Sequence, residues 1–175
     1  SDIRGFTTLS EKTTPRELVR ILNKYFTAMS EEILKNGGVL DKYIGDAIMA
    51  FWGAPIDDLN QADKAIKASL GMIEKLKVLN EELQREGAPE IDIGICLYTG
   101  PAIVGNVGCE NRLNYTAIGD TVNVASRLEG LTKEYKVKIV IGETTRRKIK
   151  ADYHFKFLGA ATVKGRNEPI NVYTI

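Results

Sequence analysis

The sequence predicts an α+β fold in which helices pack on one face of a mainly antiparallel sheet. Three observations lead to this prediction. Long helical patterns alternate with paired β-like runs, glycine-containing turns join the paired runs, and the end of the chain is β-like throughout. The 175 residues are 43% hydrophobic and 27% charged, which suits a globular chain with a sizeable core. We therefore predict a single domain over residues 1–175.

Helices are predicted from their capping and breaking residues. The first begins at 14–17, where Thr-Pro-Arg-Glu combines an N-cap, a proline at the first helical position and a capping-box glutamate, and it ends at the glycine pair 37–38. The second begins at Asn60, which we expect to cap it, and ends at Gly87. The third begins near Asp120 and carries apolar residues at helical spacing.

The predicted strands come in pairs and then in a final group. Gly45-Asp46 is a two-residue hairpin signal within the first pair, and residues 99–101 separate the second pair, which we also expect to form a hairpin. Gly165 and Pro169 divide the final group into two or three strands. The predicted strands span 39–44, 47–52, 91–98, 102–107, 137–141 and parts of 153–175.

Composition and charge argue against several classes of function. The 24 Lys and Arg residues nearly balance the 23 Asp and Glu residues, so we expect no broad basic surface and predict no nucleic-acid partner. His154 is the single histidine, which disfavours a Ser-His-Asp triad and a His-ligated zinc site. Cys96 and Cys109 have no disulfide or metal-ligand spacing. With no secretory signal and no bilayer-spanning apolar run, we expect a cytoplasmic location.

Two aspartates are candidates for divalent metal binding. Asp2 ends a predicted strand, and Asp46 lies at the tip of the first hairpin. If the two strands are neighbours, both carboxylates meet at one edge of the sheet, where hard oxygen ligands suit Mg²⁺ or Mn²⁺. Gly5 permits a sharp turn that could bring backbone N–H groups to an anion. Alternatively, Asp46 is an ordinary turn residue and Asp2 caps the next turn.

Asn123 and Arg127 lie four residues apart on the third predicted helix and therefore share one face of it. Arginine can stabilise charge on a phosphoryl group, and asparagine can orient a sugar oxygen. The same pair is also typical of a solvated helix face. The sequence has no P-loop and no Gly-x-Gly-x-x-Gly fingerprint, so a nucleotide would have to bind in another way.

Three further cations are candidates for nucleotide contacts. By strand alternation, Lys42 shares a face with Leu40 and Ile44. It therefore needs a polar partner or solvent, and it could read a base edge or snorkel. Lys164 could meet a phosphate or could protect an edge strand from aggregation. Arg112 lies in a polar stretch that has no pattern of its own.

Four ordered segments give the chain a resemblance to a known family. They are 1–7 (Ser-Asp-Ile-Arg-Gly-Phe-Thr), 41–50 (Asp-Lys-Tyr-Ile-Gly-Asp-Ala-Ile-Met-Ala), 114–129 (Asn-Tyr-Thr-Ala-Ile-Gly-Asp-Thr-Val-Asn-Val-Ala-Ser-Arg-Leu-Glu) and 158–169, which starts with Leu-Gly and ends with Val-Lys-Gly-Arg-Asn-Glu-Pro. In this order they resemble the catalytic domain of class III adenylyl and guanylyl cyclases, bacterial adenylyl cyclases above all. The resemblance implies a ferredoxin-like, mainly antiparallel sheet with flanking helices, the class III nucleotidyl cyclase fold.

The resemblance also implies how the candidate residues divide between two protomers. One protomer would hold two Mg²⁺ or Mn²⁺ ions per active site with Asp2, the backbone of Ile3, and Asp46. Its backbone would bind the triphosphate at Ile3, Gly5 and Phe6. The partner protomer would position the ribose, stabilise the transition state and bind the terminal phosphates with Asn123, Arg127 and Lys164, helped by Arg112. A head-to-tail homodimer would then carry two equivalent sites.

Base choice in this family rests on two positions, each three residues before a glycine, which are Lys42 and Thr116 here. The resemblance associates lysine at the first position with adenylyl cyclases and glutamate with guanylyl cyclases, and threonine at the second position resembles bacterial adenylyl cyclases. Lys42 can donate to N1 of adenine, and Thr116 can accept from the N6 amino group. We therefore predict that ATP is the substrate and that cyclic AMP and pyrophosphate are the products.

Other functions and a larger protein are also considered. A guanylyl cyclase is disfavoured by Lys42, and a catalytically silent nucleotide-binding or signalling module is disfavoured because all the metal, ribose and transition-state residues are present. A ferredoxin-like RNA-binding domain would need exposed aromatic residues on a basic sheet. Ser1-Asp2 has the form of a strand whose beginning is missing. We therefore expect a piece of a longer protein, with regulatory domains and any membrane attachment elsewhere in it.

Overall fold

The structure, a computed structural model, describes residues 1–163, 165 and 168–175. None of the helices in this described part combines the length and the apolar composition needed to cross a bilayer. In chain order the elements are β1 Asp2–Ile3, α1 Phe6–Lys12, α2 Pro15–Lys35, β2 Val39–Ile44, β3 Ala47–Phe51, α3 Gln61–Arg85, β4 Ile93–Leu97, β5 Ile103–Cys109, β6 Arg112–Ile118, α4 Asp120–Glu129, α5 Leu131–Glu134, β7 Ile139–Gly142, α6 Glu143–Arg146, β8 Lys156–Ala161 and β9 Ile170–Thr174.

The main sheet is mixed but mostly antiparallel. Its strand order within the described residues is β1-β4-β7-β9-β8. The β4–β7 pair is parallel, and the other neighbouring pairs are antiparallel. The β2–β3 hairpin adjoins β1, because Ser1 and Ile48 exchange backbone N–H···O hydrogen bonds of 2.9 Å in both directions. The predicted mainly antiparallel sheet is therefore confirmed, whereas the predicted packing of helices on one face is wrong. Helices α2 and α3 cover the face that carries Ile95 and Ile141, and α4 covers the opposite face, which carries Cys96 and Val140.

Helices α2 and α3 pack against each other and against the sheet to form the larger core. Their buried sides carry apolar residues at helical spacing, and the interior strand β4 is almost entirely buried. Burial of a large apolar side chain contributes about 1.5–3 kcal/mol to stability. Fully buried side chains at the centre of this core are Ile21, Tyr25, Met29, Ile66, Leu83 and Ile93.

The predicted start of α2 is confirmed, whereas the predicted side-chain cap of α3 is wrong. The Glu17 N–H donates to Thr14 Oγ1 at 3.3 Å, and Gly37 follows the last turn with a φ of 70°. Asn60 precedes α3, but its side chain makes no cap hydrogen bond. Its Oδ1 accepts instead from Lys150 Nζ at 2.8 Å, so this side chain ties the start of α3 to the segment after α6.

The second predicted hairpin is also wrong. Strand β4 pairs with β1 and β7, whereas β5 pairs with β6. Strand β6 was not predicted, although residues 112–117 alternate polar and apolar side chains, which is the pattern of a half-buried strand. Helix α1 was not predicted either. It begins after Gly5, whose φ of 65° turns the chain sharply out of β1.

Candidate active site

Asp2 and Asp46 meet at one edge of the sheet. Asp2 lies in β1 opposite Gly94, and Asp46 lies in the β2–β3 turn after Gly45, whose φ of 64° permits the tight turn. The Ile3 N–H donates to Asp46 Oδ2 at 3.1 Å and so holds that carboxylate beside β1. The predicted meeting of the two strand ends is therefore confirmed.

The electrostatics of this carboxylate pair suit a divalent cation. Burial and the hydrogen-bonded, repulsive neighbour Asp2 raise the pKa of Asp46 to about 6. Among the described residues, no group of three or more acidic, histidine or cysteine side chains is arranged to hold a metal. A cation at Asp2 and Asp46 would therefore complete its coordination with backbone, water or phosphate oxygens, as Mg²⁺ commonly does. The donor set fits a hard divalent ion.

The raised pKa of Asp46 has a measurable consequence for stability. The folded chain holds the Asp46 proton more tightly than the unfolded chain. The protonated side chain therefore adds to the free energy of unfolding fully below about pH 4, and this stabilisation is lost as the pH rises through about 6. Without divalent cations, we expect the Tm of the wild type to fall relative to that of Asp46→Asn across this range. Adding Mn²⁺ at neutral pH should stabilise the wild type more than the variant. A constant Tm difference would contradict the shift.

The turn from β1 into α1 offers fewer free N–H groups than the sequence suggests. The Ile3 N–H is bound to the carboxylate of the β2–β3 turn, and the Arg4 N–H donates to a carbonyl just before β4 at 2.7 Å. Gly5 is exposed, and Phe6 begins α1, where backbone donors have no intrahelical acceptor. The N–H groups of Gly5 and Phe6 are therefore the ones placed to meet an anion.

Lys42 and Thr116 form a polar pair between β2 and β6. Lys42 Nζ donates to Thr116 Oγ1 at 2.8 Å, and Thr116 is buried. The alternation predicted for Lys42 is wrong for Leu40, because a bulge shifts the register between Leu40 and Lys42 and places these two on opposite faces, whereas Lys42 and Ile44 keep the predicted alternation. Leu40 packs on the core, whereas Ile44 is exposed. The bulge turns Lys42 towards β6.

Asp41 contacts both members of this pair, and it was not among the candidate residues predicted from the sequence. Its side chain is 0% exposed. Asp41 Oδ2 accepts from Thr116 Oγ1 at 2.7 Å and from the Ala117 N–H at 3.0 Å, and Oδ1 lies 3.1 Å from Lys42 Nζ. In a regular strand Asp41 and Lys42 would point to opposite faces, so no pattern in the sequence signals that both reach Thr116.

Asn123 and Arg127 lie on an exposed face of α4, as predicted. Helix α4 has two further faces. The second face carries Val124 and Leu128, which are buried in a smaller core with residues of β7, β8 and β9. The third face borders a cavity of about 560 Å³ that Asp2 also lines. The residues of this third face are Val122, Ala125, Ser126 and Glu129. Helical spacing therefore separates Asn123 and Arg127 from the side of α4 that faces Asp2.

The other predicted cations lie in different places. The Arg127 guanidinium reaches the connection between β8 and β9, since a Cβ built on Gly165 would lie 3.6 Å from one of its terminal nitrogens. Lys164, in the same connection, lies outside the described residues. Arg112 begins β6 at the tip of the β5–β6 hairpin. It stands four residues from Thr116, or about 13 Å at the rise of a strand, so it does not join the Lys42–Thr116 pair within one protomer.

The β5–β6 hairpin and the end of β2 expose an apolar surface. Ile103 is 76% exposed and Ile44 is 59% exposed. The rings of Phe51 and Tyr115, with centroids 6.1 Å apart, connect the two hairpins. Further exposed members of this surface are Tyr43, Val107, Leu113 and Ile118. Exposed apolar side chains on neighbouring strands are typical of protein interfaces.

Known sequences match this chain along its whole length. The sequence profile of the adenylate and guanylate cyclase catalytic domain matches residues 1–175. Adenylate cyclase 1 of Rhizobium meliloti (strain 1021) is 38% identical over 175 residues, which are 100% of this chain and 26% of that protein. The chain thus spans about a quarter of the length of this relative.

Solved structures match the fold equally well. The guanylyl cyclase Cya2 superposes with a TM-score of 0.88 at 31% identity, over 98% of this chain and 86% of that chain. The adenylyl cyclase CyaB from P. aeruginosa superposes with a TM-score of 0.87 at 37% identity, over 98% of this chain and 88% of that chain. The arrangement of helices and strands described above is therefore similar to that of both.

Proposed function

The chain belongs to the adenylate and guanylate cyclase catalytic-domain family, and we propose that it converts ATP into 3′,5′-cyclic AMP and pyrophosphate. Similar structures carry the names of cyclases for either nucleotide, so the overall fold does not select the substrate. The observation that carries the choice of ATP is the Lys42–Thr116 pair, in which Nζ lies 2.8 Å from Oγ1.

This pair complements the edge of adenine. Lys42 can donate to the acceptor N1, and Thr116 can accept from the N6 amino group. Guanine presents an N1–H donor and an O6 acceptor, so in the same position it would face Lys42 with a donor. A mispaired buried polar group costs about 1–3 kcal/mol. We therefore expect ATP to be preferred over GTP by about tenfold or more.

The proposed reaction joins two groups of one ATP molecule. The 3′-hydroxyl attacks the α-phosphorus in line and loses its proton, the new O3′–P bond forms, and the bond to the bridging oxygen breaks as pyrophosphate leaves. Two Mg²⁺ or Mn²⁺ ions, when bound, lower the pKa of the hydroxyl and screen the phosphate charge. Asp2, the backbone of Ile3, and Asp46 would hold these ions. The N–H groups of Gly5 and Phe6 would orient the triphosphate.

We place each site between the protomers of a head-to-tail homodimer. Asp2 borders a cavity lined by one face of α4, while Asn123 and Arg127 occupy another face. Their functional groups are therefore better placed to serve the metal residues of a second protomer. In that arrangement Asn123 would position the ribose and Arg127 would stabilise the transition state. The exposed apolar surface of β2, β5 and β6 offers the area for pairing.

Lys164 and Arg112 complete the proposed phosphate site. Lys164 adjoins Gly165, and Gly165 lies against the Arg127 guanidinium, so a cation at this position would add to the charge around Arg127. Arg112 would act from the tip of its hairpin, where a second protomer can approach it. Both side chains would neutralise the terminal phosphates that leave as pyrophosphate.

We further propose that the chain is the catalytic domain of a longer protein. It spans about a quarter of its R. meliloti relative, and the remaining parts of such a protein could control how often two catalytic domains meet. A domain whose competent dimer is sparsely populated works at a correspondingly reduced rate. Regulatory domains that raise the dimer fraction would then raise cyclic AMP production.

The first test is product formation by the purified chain with Mn²⁺ and either nucleotide. Chromatography should show cyclic AMP from ATP, with kcat/KM about tenfold or more above that for GTP. Specific activity should rise with protein concentration, because a monomer has no complete site. Cyclic GMP as the main product would contradict the base assignment and keep the cyclase family. No cyclic product from a chain shown to be dimeric would indicate a silent signalling module.

A further inference from the structure

Thr116 alone does not explain a preference for adenine. A threonine hydroxyl carries one hydrogen and two lone pairs, so it can accept from the amino group of adenine or turn and donate to O6 of guanine. Discrimination at this position requires that the hydroxyl be prevented from turning. The group that could do this must lie beside Thr116 and must accept hydrogen bonds without donating any.

Asp41 meets this requirement. Its carboxylate is buried, and Oδ2 lies 2.7 Å from Thr116 Oγ1. An ionised carboxylate has no hydrogen to give, so Thr116 is the donor in this contact. The Ala117 N–H donates to the same oxygen at 3.0 Å, and Lys42 Nζ lies 3.1 Å from Oδ1. The carboxylate is therefore fixed by a backbone group and by an ion pair.

Counting hydrogens shows what the pair can still offer a ligand. The single hydrogen of Thr116 is committed to Asp41, and one lone pair accepts from Lys42 at 2.8 Å. One lone pair of Thr116 and at least one hydrogen of Lys42 remain. One acceptor beside one donor is the complement of the N6 amino group and N1 of adenine. Guanine in the same position would set its O6 acceptor against the lone pair of Thr116 and its N1–H donor against a hydrogen of Lys42, so neither contact would be a hydrogen bond.

We propose that Asp41 is a positioning residue for base selection: it holds the Thr116 hydroxyl hydrogen, makes Thr116 an obligate acceptor and so disfavours guanine. This inference deepens the proposed function and rests on it. The bulge in β2 is then part of the selectivity, because it brings Asp41 and Lys42 to the same side of the strand.

Three substitutions at Asp41 separate hydrogen-bond direction from charge. Asp41→Ala removes the acceptor, so Thr116 can turn, and the ratio of kcat/KM for ATP to that for GTP should fall by about tenfold. Asp41→Ser should lower the ratio too, because the serine side chain is one bond shorter than that of aspartate, so its oxygen falls short of the position from which Asp41 Oδ2 accepts from Thr116. Asp41→Asn keeps an oxygen acceptor towards Thr116 and Ala117, and it should keep the ratio within about threefold of the wild type.

A second background tests whether Asp41 acts through Thr116. In a Thr116→Val chain the hydroxyl is gone, so adding Asp41→Ala should leave the ATP-to-GTP ratio unchanged. Thermal unfolding of every variant identifies those that are folded, and cyclic AMP formation by the wild type tests the proposed function separately. An unchanged ratio in folded Asp41→Ala or Asp41→Ser would overturn the inference. So would a fall in Asp41→Asn as large as in Asp41→Ala, because loss of charge beside Lys42 would then be the cause.

Discussion

Replacing Asp46 by asparagine should lower the kcat of cyclic AMP formation by about a hundredfold or more. Asparagine keeps the size of the side chain and an oxygen for the Ile3 N–H, which lies 3.1 Å from Asp46 Oδ2. It removes the negative charge that a hard divalent cation needs. The loss should therefore appear in kcat and in a higher Mn²⁺ concentration at half-maximal rate, both measured with saturating ATP.

Two controls separate this loss from a loss of folding. Asp57→Asn changes an exposed aspartate in the loop between β3 and α3, and its activity should stay within about twofold of the wild type. Without metal at neutral pH, Asp46→Asn should be at least as stable as the wild type, because burial and Asp2 raise the pKa of Asp46. Full activity of Asp46→Asn with an unchanged Mn²⁺ requirement would exclude Asp46 from metal binding.

The β2–β3 turn that carries Asp46 could be predicted from sequence because local signals specify it, whereas its place beside Asp2 depends on residues 43 positions apart. Gly45 before Asp46 marks a tight turn, and that turn forms with the glycine in the left-handed region. The start of α2 is similar, since Glu17 lies three residues after Thr14 and its N–H donates to Thr14 Oγ1. Short-range geometry fixes such features, whatever the rest of the chain does.

The pairing of β4 and β5 and the contact of Asp41 and Lys42 with Thr116 could not be predicted, because they depend on residues far apart in the chain. Strand β4 precedes β5 in sequence, but it is buried between β1 and β7, where a hairpin partner has no place. Asp41 bonds to Thr116 across 75 positions of sequence. It can do so only because a bulge interrupts the alternation of β2. Alternation assigns each residue a face, and a single inserted residue reverses that assignment.

Mixing two inactive variants, Asp46→Asn and Arg127→Ala, should restore cyclic AMP formation to about a quarter of the wild-type rate. With random pairing, about half of the dimers contain one protomer of each kind. In such a dimer, one site combines both substitutions, and the other combines an intact Asp46 with an intact Arg127 from the other protomer. One working site in about half of the dimers gives the expected quarter.

The matched control mixes Asp46→Asn with Asp2→Asn. These two carboxylates adjoin within one protomer, so every site in every dimer lacks one of them and activity should stay at the level of the separate variants. Recovery in the first mixture alone assigns the carboxylates to one protomer and the arginine to its partner. If neither mixture recovers although tagged subunits prove that mixed dimers form, each site lies within a single protomer and the head-to-tail arrangement is wrong. Recovery in both would place Asp2 and Asp46 in different sites, against the contact between them.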